Sequence, residues 1–126
     1  MIDLREAENI HNLLIEKFGG AKGIRDHGLL ESSLKRPYQT FGGQELYPTP
    51  IDKAAAIFES LIANHPFLDG NKRIAYVLMR LMLKAHKLDI ECTQTEKFEF
   101  VMKAARGELK LDQIKTWIAE KIKVNG

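Results

Sequence analysis

The chain has 126 residues, of which 44% are hydrophobic and 29% are charged, a composition typical of a soluble globular protein. Its 19 basic and 17 acidic residues give a formal net charge of only +2 and are scattered along the sequence, which argues against a dedicated nucleic-acid-binding protein. No apolar run reaches the roughly 18 residues that a membrane-spanning helix needs, and no secretory signal is visible at the start. We therefore expect a cytoplasmic protein whose partners include neither nucleic acid nor membrane.

Helical periodicity runs through the first part of the chain and is interrupted by one irregular segment. Apolar residues recur at helical spacing over residues 3–18, with Asp3 as the predicted N-cap. A short helix is predicted over residues 29–36, ended by Pro37. Residues 38–48 show no helical period and place aromatic residues around a glycine pair, so they predict a flexible loop or a small β-hairpin.

Two apolar helices are predicted in the middle of the chain. Thr49 is the predicted N-cap of a helix over residues 50–64, which should end there because Pro66 disfavours a helical conformation in the preceding residue. A second helix is predicted over residues 71–86, and its apolar residues cover more than one face, as expected for a buried helix. The remaining predicted elements are a short extended segment and two helices, over residues 87–92, 95–106 and 111–123. The prediction is a single all-α domain over residues 1–126, with about six helices and one irregular flap.

The segment between the two central helices, residues 65–73, reads HPFLDGNKR and concentrates chemical groups. The first N–H groups of a helix lack internal partners and carry partial positive charge, so the start of the second helix is suited to bind an anion. Gly70 lets a ligand approach the backbone closely. Lys72 and Arg73 add full positive charge where a phosphate would lie.

Two further residues of this segment complete a possible phosphate-handling site. Asp69 can hold Mg²⁺, which proteins commonly bind through one or two carboxylates together with phosphates. His65 can accept a proton near neutral pH. Structural interpretations also exist, because a histidine at a helix C-terminus and an aspartate before a helix are both ordinary. The residues alone leave both interpretations open.

The segment resembles the motif of the Fic family, His-x-Phe-x-Asp/Glu-Gly-Asn-Gly-Arg-x-x-Arg. It resembles more closely the death-on-curing (Doc) toxin branch of that family, in which lysine replaces the second small residue. Further stretches that fit this branch are Phe18-Gly19-Gly20, Gly23-Ile24-Arg25-Asp26, Gly28-Leu29-Leu30, Phe41-Gly42-Gly43 and Ile62-x-Asn64-His65-Pro66-Phe67. The resemblance implies a compact Fic-type helical bundle with a small irregular or β-hairpin flap.

The resemblance also implies a role for each residue of the motif. His65 would deprotonate a hydroxyl of a target protein, and Asp69 would help to hold Mg²⁺. The anion hole for the phosphates of ATP would be formed by Gly70, Asn71 and Arg73. The cofactors implied are therefore ATP and Mg²⁺.

Two positions distinguish the chain from Fic proteins that transfer AMP. Lys72 fills the space that a glycine leaves for the α-phosphate in those proteins, and in Doc toxins this lysine goes with attack at the γ-phosphate. Tyr76 occupies the place of the second arginine of the motif. The resemblance therefore favours an ATP-dependent protein Ser/Thr kinase, with an AMP or other nucleotidyl transferase and a non-enzymatic partner-binding module as alternatives.

The same resemblance implies the partners. The protein would be the toxin of a type II toxin–antitoxin system that phosphorylates a host protein, a translation elongation factor, and so arrests translation. The flap residues Phe41, Gly42 and Gly43 would dock the target. The inhibitory Fic motif has its nearest match at Thr116 and Glu120 but lacks the final small or amide residue, so inhibition is expected from a separate antitoxin, Phd-like or another small DNA-binding antitoxin.

Several other residues have only structural expectations. His11, His27 and His86 have no metal-ligand spacing with one another and are expected at the surface or at helix ends. Arg25 and Asp26 match the family but suggest no role beyond a structural ion pair.

Overall fold

The computed structural model describes residues 1–125, in which six α-helices and two small antiparallel sheets are formed. The helices are α1 (Leu4–Phe18), α2 (His27–Lys35), α3 (Pro50–Asn64), α4 (Asn71–Lys84), α5 (Gln94–Ala105) and α6 (Leu111–Lys121). The strands are β1 (Thr40–Phe41), β2 (Gln44–Glu45), β3 (Leu88–Ile90) and β4 (Ile122–Val124). The predicted helical fold with about six helices and a small flap is confirmed. Within the described residues no helix combines the length and the apolar character needed to cross a bilayer.

Helices α3 and α4 form the centre of the molecule and pack against each other along their length. Three consecutive alanines of α3, at positions 54–56, are fully buried, which shows that this helix is enclosed on several sides. Phe58 of α3 continues the core outward, because its ring stacks on Phe100 at 4.9 Å and Phe100 stacks on Trp117 at 3.8 Å. The short loop between α3 and α4 is therefore held at both ends by buried helices.

The capping residues that the sequence suggested have the expected contacts. The Asp3 carboxylate accepts a hydrogen bond from the Glu6 amide at 2.8 Å. Thr49 and Asp52 form a reciprocal capping box at the start of α3, with N–O distances of 3.0 and 3.3 Å. These bonds satisfy amides that have no partner within their own helix, so each of the two starts agrees with its prediction.

Helix α2 differs from its predicted bounds of residues 29–36 at both ends. It begins two residues earlier because the Asp26 side chain accepts a hydrogen bond from the Leu29 amide at 2.9 Å. Pro37 does not end the helical path, since the chain continues as a 3-10 turn over Arg36–Tyr38. Proline is tolerated in the first turn of a helix, where its missing N–H would have no partner.

The last predicted helix, over residues 111–123, was two residues too long. Helix α6 ends at Lys121, and the next residues form β4, which pairs antiparallel with β3 in a sheet that was not predicted. Ile122 lies opposite Ile90 in this sheet, and Ile90 is buried. The apolar pattern of residues 122–124 continues the helical pattern of α6. These residues form a strand because they pair with β3.

The irregular segment is a β-hairpin, the second of the two predicted possibilities. Thr40 pairs with Glu45 and Phe41 with Gln44, so the two strands are joined by Gly42 and Gly43. Both glycines have positive φ, at 58° and 81°, as a two-residue primed turn requires. Phe41 is 81% exposed, so the tip of this flap presents an aromatic ring to solvent.

An ion pair connects the new sheet to α4 and gives a pH-dependent prediction. Arg80 donates two hydrogen bonds of 2.9 Å to the two carboxylate oxygens of Asp89, and these bonds lower the pKa of Asp89 to about 2. A carboxyl whose pKa is lower in the folded state stabilises the fold above its unfolded pKa, and this stabilisation disappears as the pH falls from about 4 to about 2.

We expect Asp89→Asn to lower the free energy of unfolding by about 2 kcal/mol at pH 7, because Arg80 loses its charge partner, the buried carboxylate of Asp89. The loss should shrink as the pH falls from about 4 to about 2. Urea unfolding at pH 7 and at stepwise lower pH measures both effects. Glu120→Gln, at an exposed position of α6, is the control and should change little. An equal loss for Asp89→Asn at every pH would contradict the assignment.

Candidate active site

The loop between α3 and α4 opens onto a pocket of about 300 Å³. Its lining residues are His65, Leu68, Asp69, Gly70, Asn71, Lys72 and Arg73. The structure thus brings together every candidate residue of the HPFLDGNKR segment. The flap residues do not belong to this group, since in the described part of the chain Phe41, Gly42 and Gly43 do not line the pocket.

His65 is the first residue after α3, and its backbone is left-handed, with φ 46° and ψ 57°. The prediction that α3 ends here is confirmed. A position before proline favours an extended backbone, but His65 does not adopt one. The left-handed conformation is disfavoured for a residue with a Cβ, by about 1 kcal/mol or more. Its side chain is exposed and reaches the pocket, and a second cavity of about 500 Å³ runs from it to Arg36. His65 is therefore accessible from two cavities.

Asp69 is an exposed carboxylate held by backbone amides. Its Oδ2 accepts a hydrogen bond from the Ala21 amide at 3.1 Å and its Oδ1 one from the Gly70 amide at 2.8 Å. The Ala21 amide, followed by that of Gly70, lowers the pKa of Asp69, so the group is an anion at neutral pH. A Cβ at Gly20, where φ is 113°, would lie 2.7 Å from Oδ2. A side chain at position 20 would displace the carboxylate.

The carboxylate of Asp69 fits the role of a magnesium ligand. Each of its oxygens accepts one hydrogen bond and keeps a further lone pair. Among residues 1–125 no three His, Cys, Asp or Glu side chains are grouped as a metal site. Mg²⁺ bound here would therefore be held by one carboxylate, with phosphate and water as the other ligands, which is a common arrangement for this ion.

Gly70 is the N-cap of α4, with a left-handed backbone at φ 72°, and offers no side chain to cap the helix. A Cβ here would lie 3.3 Å from the Ile15 side chain and 3.5 Å from Nε2 of His11, so the space also favours glycine. Because no side chain caps α4, the first amides of this helix are left for a ligand. An anion placed there would take the position of the missing cap.

The side chain of Asn71 stabilises the loop itself. Its side-chain oxygen accepts a hydrogen bond from the Phe67 amide at 2.9 Å, and its amide nitrogen donates to the Phe67 carbonyl at 3.0 Å. The side chain thus braces the loop on both sides of Phe67. Asn71 can still offer a phosphate its backbone N–H and the second N–H of its side-chain amide.

Two cations border the pocket on the solvent side. Lys72 and Arg73 are both exposed in the first turn of α4. The guanidinium of Arg73 lies 4.5 Å from the centroid of the Phe18 ring, a distance at which a cation–π interaction holds it in place. The pocket therefore combines a helix N-terminus with two full positive charges.

The expectation that His11 lies at the surface was wrong. This residue is only 1% exposed, and its Nε2 lies 2.7 Å from the carbonyl oxygen of Asp69. A carbonyl can only accept, so the imidazole carries its proton on Nε2, while its buried Nδ1 has no partner among the described residues. The ring also stacks on Phe67 at 3.9 Å. The helical spacing contained the signal, because position 11 lies one turn from both buried Ala7 and buried Ile15.

We expect His11→Phe to lower the free energy of unfolding by about 1 kcal/mol, because the stack on Phe67 is kept while the Asp69 carbonyl loses its donor. Urea unfolding gives the stability, and amide NMR shifts of Asp69 and Gly70 report the loop. His86→Phe, at an exposed position after α4, is the control. Wild-type stability together with unchanged loop shifts would contradict this role for the hydrogen bond.

Arg25 and Asp26 do not form the expected ion pair within the described residues. Asp26 caps α2, and Arg25 donates instead to two carbonyl oxygens, from Nη2 to Asn64 and from Nε to His65, both at 2.6 Å. The arginine thus binds the end of α3, next to the pocket. Sequence spacing could not reveal this contact, since it joins residues some 40 positions apart.

Tyr76 and Arg80, which follow the motif on α4, do not line the pocket. Tyr76 is buried, its hydroxyl lies 3.7 Å from the Cys92 sulfur, and burial raises its pKa. Arg80 donates its hydrogen bonds to Asp89.

The residues nearest to an inhibitory Fic motif lie on α6. Thr116 donates to the Asp112 carbonyl within α6, and in the described chain neither it nor Glu120 lines the pocket.

Comparison with known proteins gives two matches. The sequence model of the Fic/DOC family matches residues 1–83, which include the whole pocket. A protein named Toxin Doc from Mycolicibacterium smegmatis is 49% identical over 59 residues, which are 47% of this chain and 45% of that protein. The match thus spans less than half the length of this relative.

Proposed function

The chain belongs to the Fic/DOC family, and on this premise we propose that it is the toxin of a type II toxin–antitoxin system. Its activity is the transfer of the γ-phosphate of ATP to a hydroxyl of a host protein. The observation that carries the proposal is the position of the exposed His65 imidazole, which lines the same pocket as the uncapped start of α4. The likeness to Toxin Doc supports the toxin role.

The phosphates of ATP bind at the start of α4. The free amides of the first turn and the side chains of Lys72 and Arg73 provide the positive charge, and Gly70 leaves the space for close approach. Asp69 holds Mg²⁺, which neutralises part of the phosphate charge. Because the backbone amides of α4 and the guanidinium of Arg73 are held in place before the nucleotide arrives, they can stabilise the charge that develops during transfer.

His65 acts as the general base. It takes the proton of the target hydroxyl, the hydroxyl oxygen bonds to the γ-phosphorus, and the bond from that phosphorus to the β–γ bridging oxygen breaks, so that ADP leaves. A positioned base of this kind contributes typically about 10²–10⁴-fold to the rate. The large cavity beside His65 provides a path for the second reactant from the solvent.

Two observations favour γ-phosphate transfer over AMP transfer. Lys72 projects from the first turn of α4 and lines the pocket, so its side chain occupies space next to the anion site. Tyr76 is buried and supplies no donor to the phosphates. A nucleotidyl transferase remains the alternative within the same family.

The target is a translation elongation factor in the cytoplasm, whose modification arrests translation. The flap offers the edge of a two-stranded sheet, and an extended segment of the target would add to it through main-chain hydrogen bonds. Repression comes from a Phd-like or other small DNA-binding antitoxin.

Incubation with purified elongation factors and ATP, labelled in parallel reactions at the α or the γ position, tests the proposal. We expect label from the γ position alone on the target, and none when the antitoxin is present. Label from the α position would make the protein a nucleotidyl transferase. Toxicity in cells without any labelled protein would favour a non-enzymatic partner-binding module.

A further inference from the structure

The catalytic loop is fastened to a segment outside the motif. Residues 23–26 run antiparallel to residues 65–68, with a bridge between Ile24 and Phe67. The Leu68 amide donates to the Gly23 carbonyl at 3.0 Å, and the Pro66 carbonyl accepts from the amides of Arg25 and Asp26 at 2.7 and 3.0 Å. These backbone contacts hold residues 66–68 against residues 23–26.

The side chain of Arg25 binds the start of the loop, where these backbone contacts do not reach. Its Nη2 donates to the Asn64 carbonyl and its Nε to the His65 carbonyl, both at 2.6 Å. These are the carbonyls at the end of α3, where orphan acceptors and the negative end of the helix dipole favour a cation. The planar guanidinium binds two acceptors at once, a geometry that a lysine cannot reproduce.

Arg25 contacts a residue, His65, whose backbone conformation is unfavourable. His65 is one of two residues other than glycine with positive φ in residues 1–125. Such backbone strain persists only where the surroundings enforce it, and it is found preferentially at functional sites. A guanidinium on the carbonyl of His65 itself fixes the orientation of that peptide group, and the orientation of the peptide group determines where the side chain points.

We propose that Arg25 is a positioning residue for His65: its guanidinium fixes the left-handed backbone that directs the imidazole into the pocket. The inference rests on the proposed role of His65 as general base. It differs from a direct role of Arg25 in phosphate binding, because two of the three guanidinium nitrogens, Nε and Nη2, are already bound to carbonyls.

The test compares Arg25→Lys and Arg25→Ala with Arg5→Lys, a control at an exposed position of α1. Backbone NMR of His65 reports φ through the amide–Hα coupling and the Cα and Cβ shifts. Both Arg25 variants should lose the left-handed signature.

In steady-state phosphate transfer kcat should fall about 10²-fold, the effect of misplacing a catalytic group by about 1 Å. The KM for ATP should change less than about threefold, because binding of the nucleotide is not affected.

The outcomes separate this inference from the proposed function. If the wild-type protein transfers no phosphate, the proposed function fails, while the NMR comparison still decides whether Arg25 controls the backbone of His65. A left-handed His65 in both variants overturns the inference whatever the activity. A rise in KM for ATP with unchanged kcat also overturns it and assigns Arg25 to the phosphates. Should Arg25→Ala not fold, Arg25→Lys, which keeps the charge, decides alone.

Discussion

Replacement of His65 by asparagine is expected to reduce phosphate transfer roughly 10³-fold, the loss typical of a missing general base. Asparagine is the informative substitution because it tolerates the left-handed conformation of this position better than most residues do. His65→Ala should be equally inactive, but it adds backbone strain at φ 46°. Single-turnover transfer of the γ-label from ATP to the target measures the effect.

The control for this prediction is His86→Asn, at an exposed position after α4. Circular dichroism and urea unfolding should show that the three variants keep the wild-type fold. If His65→Asn retained more than about a tenth of the wild-type rate, His65 could not be the base, since even a modest general base contributes about 10²-fold. Toxicity in cells should be lost with both His65 variants and kept with His86→Asn.

The fold was predictable where the information is local. The caps at Asp3 and Thr49 and the stop before Pro66 are contacts between residues that are close in sequence. The pairing of β3 with β4 was not predictable, because it joins residues more than 30 positions apart. The residues of β4 also continue the helical pattern of α6, so no local signal marks the change to a strand.

The sequence predicted which residues form the candidate site, but not the contacts that hold them in place. Residues 65–73 are contiguous, so placing them between two helices already brings them together. His11 and Arg25 reach the same loop from other parts of the chain, at separations of 58 and 40 residues from their partners. Asn71 shows the same limit, because a motif gives the identity of a side chain but not the group to which it is bonded.

Replacement of Lys72 by glycine is expected to lower γ-phosphate transfer by about 10²-fold, the effect of removing one preorganised donor from a transition-state site. The change removes a charge and opens space beside the uncapped start of α4. Since the family motif has glycine at this position, the opened space should admit the α-phosphate and allow AMP transfer. ATP labelled separately at the α and γ positions measures both activities in the same preparation.

Charge and volume are separated by Lys72→Met, which removes the charge and keeps the length of the side chain. This variant should lose γ-transfer as Lys72→Gly does, but it should gain no α-transfer, because the space next to the anion site stays filled. Lys103→Met, at an exposed position of α5, is the matched control and should leave both activities unchanged. Unchanged γ-transfer in Lys72→Gly would show that the lysine does not contact the transferred phosphate. Gain of α-transfer in Lys72→Met would show that charge, and not the space available to the nucleotide, selects the phosphate that is attacked.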